Sequence, residues 1–460
     1  MTEPSLETLA LAVQLPAFAG STLPDEYAVL LREGLGGICY FGTNTAEGPE
    51  SVARLSAAIR AANPHAVIAV DEEGGDVTRL HALDGSPVLG PAALGRVGDL
   101  ELTRQTGRAV GAELASVGIT LNFGPDADVN SNPDNPVIGT RSFGTEAGPV
   151  SAHVAAWVRG HQEAGTAACA KHFPGHGDTA QDSHLALPVV DADLATLRAR
   201  ELAPFAAAVE AGVAAVMTSH IVVPALDPDL PGTLSAPVLG LLRDELGYDG
   251  VIVSDALDMA GASAVRGIPE AAVLSLAAGA DLLCIGPEKP ASLVRETQAA
   301  IVAAVHDGRL SEERLRSAAA RVARLGGFEQ RQLAGARRAL TVEGELPDLS
   351  GAVVVSIATT ANIAAGEVPW GLAPDVVVRP EDGFASTADA LVVQVRDAHR
   401  RPEVAALLAQ VAERVERAVV IEWGWPGPYD GPLSRVLTRG YSRPVATAVT
   451  ELLREAGWDR

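Results

Sequence analysis

The sequence predicts an α/β protein: a (β/α)8 TIM-type barrel over residues 1–335, followed by a smaller C-terminal α/β domain. Three observations carry this prediction. The chain has 460 residues, too many for one ordinary hydrophobic core, so two domains are the natural division. From residue 36 to about 287 one unit recurs, in which a short apolar run leads through a polar or glycine-rich loop into an amphipathic helical stretch. The apolar runs are nearly continuous rather than alternating, as expected of parallel strands buried on both faces.

Taken in order, an eighth strand is expected near residues 10–20, ahead of the seven clear runs. These are "GGICYF" (36–41), "AVIAV" (66–70), "GITLNF" (118–123), "TAACA" (166–170), "VAAVMT" (213–218), "GVIVS" (250–254) and "ADLLCI" (280–285). Helical stretches lie between them, including 51–62, 102–118 and 194–212, the last stopped by Ala211-Gly212. No Gly-x-Gly-x-x-Gly follows any strand, which argues against an open doubly wound sheet. The stretch 311–328 is expected as the barrel's closing helix, and the polar segment 336–347 as a linker. Domain 348–460 has strand candidates at 352–358, 375–380, 390–395 and 418–423, with helices near 402–415 and 443–456. Within "EWGWPGPYDG", Trp423 and Trp425 would share a face if the strand ran through both. Such a pair would either stack on a sugar or pack the domains together.

A 47% hydrophobic, 20% charged composition is that of a well-buried globular chain. Its formal charge of −23 disfavours nucleic acid and anionic membrane as partners. The three cysteines, Cys39, Cys169 and Cys284, each sit in an apolar run, as reduced core thiols do. The start carries acidic residues where a signal peptide needs basic ones, and no apolar run is long enough to span a membrane. A cytoplasmic monomer is expected.

In barrels, catalytic groups gather at the C-terminal ends of the strands. Here those ends read "DEEGGDVTR", "KHFPGHGDTAQDSH", "SH" and "DALDM". Lys171 opens the second of these in a chain with only two lysines. Asp255 follows "GVIVS" and should emerge at the mouth; Asp258 lies three residues on. Either aspartate could instead cap a helix.

Together, "KHFPGHGDTAQDSH", "DEEGGDVTR", "GTRSFG" and "SDALDM" resemble glycoside hydrolase family 3, in particular its bacterial β-N-acetylglucosaminidase (β-N-acetylhexosaminidase) branch. The resemblance covers roughly residues 8–330 and implies a (β/α)8 barrel, often with a C-terminal α/β domain, and no metal or other cofactor. It implies Asp255 as nucleophile, His184 as general acid/base and Asp182 as its supporting carboxylate. It also implies sugar-binding roles for Asp71, Arg79, Arg141, Lys171 and His172, and a loop-shaping role for His176.

These residue types suit the chemistry. A retaining glycosidase needs a carboxylate nucleophile and, on the leaving-group side, a proton donor that later acts as base. A histidine can do both near neutrality, and an aspartate two residues away can fix its tautomer. Asp71 could bridge two sugar hydroxyls with Arg79 orienting it, or the two could form a structural ion pair. His172 and His176 have the spacing of helical zinc ligands, but Pro174 and Gly175 between them forbid a regular helix, so no metal is expected.

The expected activity is release of terminal β-N-acetylglucosamine from small cell-wall or chitin-type oligosaccharides, as in peptidoglycan recycling. The alternatives are a phosphorylase or β-glucosidase on the same scaffold, or an inactive sugar-binding barrel.

Overall fold

The computed structural model describes residues 4–179, 188–325, 328–359, 371–384 and 388–459. It divides into two compact units, Met1–Phe328 and Glu329–Arg460, ahead of the division expected at residue 335. None of the helices among the described residues is long and apolar enough to cross a membrane.

Among its described residues the first unit carries eight parallel strands: β1 (Gln14–Pro16), β2 (Gly37–Cys39), β3 (Val67–Val70), β4 (Leu121–Asn122), β5 (Ala167–Phe173), β6 (Ala215–Thr218), β7 (Val251–Val253) and β8 (Leu283–Gly286). Strands β2 to β7 pair in chain order, and β1 pairs with β8. A bridge from Val253 to Leu282 joins the two sets, so the sheet is curled and barrel-like with helices outside it.

Side-chain parity explains why the apolar runs are continuous. Cys39, Val67, Ala69, Leu121, Ala167, Cys169, Ala215, Met217, Val251, Val253 and Cys284 form one buried cluster within the curl. Their neighbours Ile38, Ile68, Val70, Ala168, Ala170, Val216 and Ile252 belong to a second cluster, together with helix residues such as Leu55, Ile59, Val154 and Phe205. Successive strand residues point to opposite faces, and here both faces are buried.

The helices start and stop where local chemistry dictates. Asp99 accepts from the amides of Glu101 (2.9 Å) and Leu102 (3.1 Å) to start Leu100–Ser116, and Ser311 caps Glu312–Val322. Helix Leu202–Glu210 stops at Ala211, and Gly212 follows with φ of 78°.

The described residues of the second unit form a six-stranded sheet, with β9 (Thr341–Glu343), β10 (Val353–Ile357), β11 (Val376–Val378), β12 (Ala390–Val395), β13 (Arg417–Glu422) and β14 (Ser434–Leu437). Their order is β11-β10-β12-β13-β14-β9; all neighbours are parallel except the edge pair β14 and β9. Helices Pro402–Arg414 and Arg443–Glu455 pack on this sheet through Leu407, Leu408 and Val411 and through Val449 and Leu453.

Two expectations need correction here. Stretch 336–347 is not a plain linker, because it carries the end of helix Phe328–Ala339 and strand β9, which is held by its pairing with β14. Trp423 and Trp425 are not a pair on one face, because β13 ends at Glu422. Trp423 is buried, and its Nε1–H donates to Gln394 Oε1 at 2.9 Å, whereas Trp425 is 67% exposed.

Candidate active site

The parity that fills the interior of the curled sheet also selects what reaches its mouth. Continued beyond the strands, the inward positions are Phe41 after β2, Asp71 after β3, Phe123 after β4 and Asp255 after β7. Lys171 and Met217 hold them within β5 and β6. All six line one cavity of about 740 Å³, with Cys284 of β8. Arg79, Glu73, Arg141, His172, His176 and Asp258 line it too. Strand β5 runs on to Phe173, so Lys171 and His172 are strand residues rather than members of the loop the sequence suggested.

Lys171 is almost wholly buried and sits between two carboxylates: its Nζ lies 2.6 Å from Asp71 Oδ1 and 2.6 Å from Glu73 Oε1. Burial opposes its charge, but Asp71 and Glu73 outweigh burial and raise its pKa above the ordinary lysine value. Arg141 grips Glu73 with two nitrogens, Nη2 to Oε1 at 2.8 Å and Nε to Oε2 at 3.1 Å. Burial works against ionisation of Glu73, yet Arg141 and Lys171 hold its pKa well below the usual carboxylate range. Arg79 lies 3.8 Å from Asp71, so the expected pair is present, with Lys171 the closer partner.

His172 is fixed from both sides. Arginine can only donate, so His172 Nε2 accepts from Arg141 Nη2 at 3.2 Å. The proton is then on Nδ1 and points at Asp128 Oδ2, 2.8 Å away. Asp128 also accepts the His176 amide at 2.6 Å. Its carboxyl is buried, but His172 and His176 keep its pKa below the ordinary value. The Thr179 hydroxyl lies 2.8 Å from His176 Nδ1, and burial lowers the histidine's pKa. Gly177 explains the tight "FPGHG" turn: a Cβ there would fall 1.8 Å from the Val129 carbonyl oxygen.

Asp255 is partly open to the cavity. Its amide donates to Thr218 Oγ1 (3.2 Å), and its Oδ1 accepts the Ala256 amide (2.8 Å). Burial works against its charge, but His220, His172, the Ala256 amide and Lys171 together lower its pKa. His220 is fully buried, and its Nε2 donates to the Ala256 carbonyl at 2.9 Å. Neither Asp255 nor Asp258 caps a helix. Helix Ala260–Ser263 begins after Met259 with no side-chain cap, and Asp258 pairs with Lys289 at 2.8 Å.

Asp71, Arg79, Arg141, Lys171, His172 and Asp255 thus converge on one cavity. Asp182 and His184 lie outside the described residues. Sequence reasoning missed Glu73, Asp126 and Asp128, which stand in "DEEGG" and "GPDADVN". Parity was the one signal for Glu73: position 73 continues the inward series 67, 69, 71. Glu72, by contrast, accepts the amides of Arg79 (2.8 Å) and Leu80 (3.0 Å) and so shapes the loop that carries Arg79.

The family described as Glycosyl hydrolase family 3 N terminal domain matches residues 12–325. The chain is 37% identical over 334 residues to Beta-hexosaminidase A of Pseudoalteromonas piscicida, a match covering 67% of this chain and 56% of that protein. It therefore spans little more than half the length of that relative. It is 40% identical over 282 residues to a beta-hexosaminidase of Chromobacterium violaceum, covering 59% and 78% of the two. A solved glycoside hydrolase family 3 beta-N-acetylglucosaminidase from Paenibacillus sp. str. FPU-7 superposes with a TM-score of 0.67 at 32% identity. That superposition covers 98% of this chain and 97% of the other.

Proposed function

This chain belongs to glycosyl hydrolase family 3, and we propose that it is a retaining β-N-acetylglucosaminidase working at the mouth of a (β/α)8 barrel. One observation carries the reading. The Asp255 carboxyl, kept below its ordinary pKa, faces the same cavity as the array of Asp71, Arg79, Arg141, Lys171 and His172. A carboxylate held ionised can attack an anomeric carbon, and the array offers the donors and acceptors that grip sugar hydroxyls. The names of the relatives point to an amino sugar.

In this reading the terminal sugar enters the cavity and Asp71 bridges adjacent hydroxyls. Lys171 and Arg79 neutralise and orient that carboxylate. Glu73 holds Lys171 and Arg141 in place. Asp255 attacks the anomeric carbon as His184 protonates the departing oxygen, with Asp182 holding the imidazole. The glycosyl-aspartate then falls to a water that His184 deprotonates, restoring the β configuration. No step calls for a metal. The substrates are small cell-wall or chitin-type oligosaccharides.

The deciding experiment compares hydrolysis of aryl β-N-acetylglucosaminide with aryl β-glucoside, with and without phosphate, and reads the product anomer. Free β-N-acetylglucosamine as first product, with little turnover of the glucoside, is expected. An inverted anomer would overturn the covalent mechanism, and sugar 1-phosphate would make the protein a phosphorylase.

A further inference from the structure

Behind the sugar-facing side of His172 lie two carboxyls that the mechanism does not use. Asp126, Asp128 and His172 are all buried, and one ligand-type atom from each lies within 4.8 Å of the others. Asp128 Oδ2 is 2.8 Å from His172 Nδ1, and Asp126 Oδ2 is 3.9 Å from the same nitrogen. Asp126 Oδ1 accepts the Asp128 amide at 2.9 Å. Its Oδ2 is fully buried and makes no hydrogen bond among the described residues; its nearest cation is Arg141, with Nε 3.8 Å away. A buried carboxylate oxygen without a hydrogen bond is costly and uncommon.

We propose that Asp126 Oδ2, Asp128 Oδ2 and His172 Nδ1 form an inhibitory binding site for one divalent transition cation of the zinc type. One imidazole and two carboxylates are a donor set that Zn²⁺ and Co²⁺ accept. Ligand atoms at about 2.0–2.1 Å from a tetrahedral ion stand about 3.3 Å apart, and the two measured separations from Nδ1 bracket that value. Charge favours a cation as well. Around the cavity and this cluster, Asp71, Glu73, Asp126, Asp128, Asp255 and Asp258 set six carboxyls against Arg79, Arg141, Lys171 and the Lys289 that pairs with Asp258.

Inhibition follows from the tautomer. His172 now carries its proton on Nδ1 and accepts from Arg141 at Nε2. A metal on Nδ1 forces that proton off and the ring takes one up on Nε2, so an N–H then faces the guanidinium. The Arg141–His172 bond is lost, and with it the set of the wall that grips the sugar. This inhibition rests on the glycosidase reading, whereas metal binding does not.

The test uses the whole chain stripped with EDTA and titrated with Co²⁺, followed by its visible d–d absorption. One equivalent should bind and be displaced by Zn²⁺, and Asp126→Asn should weaken binding at least tenfold while keeping the far-UV circular dichroism. If Asp126→Asn fails to fold, His172→Gln takes its place. Saturating Zn²⁺ should cut kcat/KM of the wild type at least tenfold, reversibly with EDTA. Absence of Co²⁺ binding, or binding spread over surface histidines and unchanged in the variants, overturns the site. Tight Co²⁺ binding by a protein that hydrolyses no hexosaminide would leave the site standing and remove the glycosidase reading alone.

Discussion

Asp255 and Glu422 stand at equivalent points of two different sheets, each a carboxylate near the C-terminal end of a buried parallel strand. They are stabilised in opposite ways. Glu422 takes three backbone amides, from Asp397 (2.7 Å), Ala398 (3.0 Å) and Gly424 (2.7 Å), and burial still raises its pKa. Asp255 has one such amide and owes its low pKa to that amide and to the side chains of His220, His172 and Lys171. A carboxylate enclosed by its own backbone ties loops together and has no room for a ligand. One balanced by side chains across an open cavity keeps both its charge and its access. The distinction lies in the partners, since strand-end position and residue type are nearly the same.

The largest expected effect tests that contrast directly. Asp255→Asn should lower kcat/KM by about 10⁴-fold or more, with little change in thermal stability. Glu422→Gln should leave kcat/KM unchanged but cost about 1–3 kcal/mol of unfolding free energy in urea, because one oxygen becomes a donor facing amide donors. In the wild type, a slow fluoroglycosyl fluoride should label the peptide "VIVSDALDM" at Asp255. Label on Asp258, which is already held by Lys289 at 2.8 Å, would move the proposed nucleophile and break the comparison.

Next in size is the proposed acid/base. His184→Ala should cost on the order of 10²–10⁴-fold on substrates with poor leaving groups. A dinitrophenyl glycoside needs no proton donor to depart, so this variant should release one burst of phenol per site and then stall. Azide needs no deprotonation and should restart turnover, giving a β-glycosyl azide. Asp182→Asn should act the same way, more weakly. Equal losses on activated and unactivated substrates, with azide inert, would make His184 a binding residue and turn attention to His220 and His176.

How far the sequence foretold this depends on how local each signal was. Each of the seven apolar runs overlaps a strand, because burial on both faces leaves its mark on consecutive residues. Asp71 and Asp255 were findable because they follow such runs directly. Strands β9 and β14, with sequences "TVE" and "SRVL", were not: their pairing joins residues far apart in sequence, and four residues carry too little pattern. Asp126 and Asp128 were hidden for another reason. Their importance comes from His172 reaching them from a neighbouring strand, and nothing in "GPDADVN" announces that. The tryptophans misled because the strand stops one residue before Trp423.

That error gives the third prediction. Trp423→Ala removes a buried ring with a hydrogen-bonded indole and should destabilise the protein by about 3–5 kcal/mol. Trp425→Ala should change stability by less than about 0.5 kcal/mol. Comparable losses in urea unfolding would mean that the exposed ring is an anchor after all.

The smallest effect concerns a third buried carboxylate, intermediate between the first two. Glu201 takes Arg200 Nε on one oxygen at 2.5 Å, while the other makes no hydrogen bond among the described residues and lies against Gly175. Burial is the larger influence. Arg200 opposes it, Asp128 and Asp178 add to it, and the carboxyl is pushed up to about 7. Its folded pKa therefore lies above the unfolded value, so the stabilisation it brings is complete below about pH 4.5 and is lost as pH rises through about 7. Glu201→Gln fixes the neutral form and keeps an oxygen for Arg200. Between pH 5 and 8 the wild type should lose about 1–2 kcal/mol of unfolding free energy relative to this variant. A constant difference across that range would mean that Arg200 keeps Glu201 ionised throughout. Side-chain charge, and not burial, would then govern Glu201 as it governs Asp255.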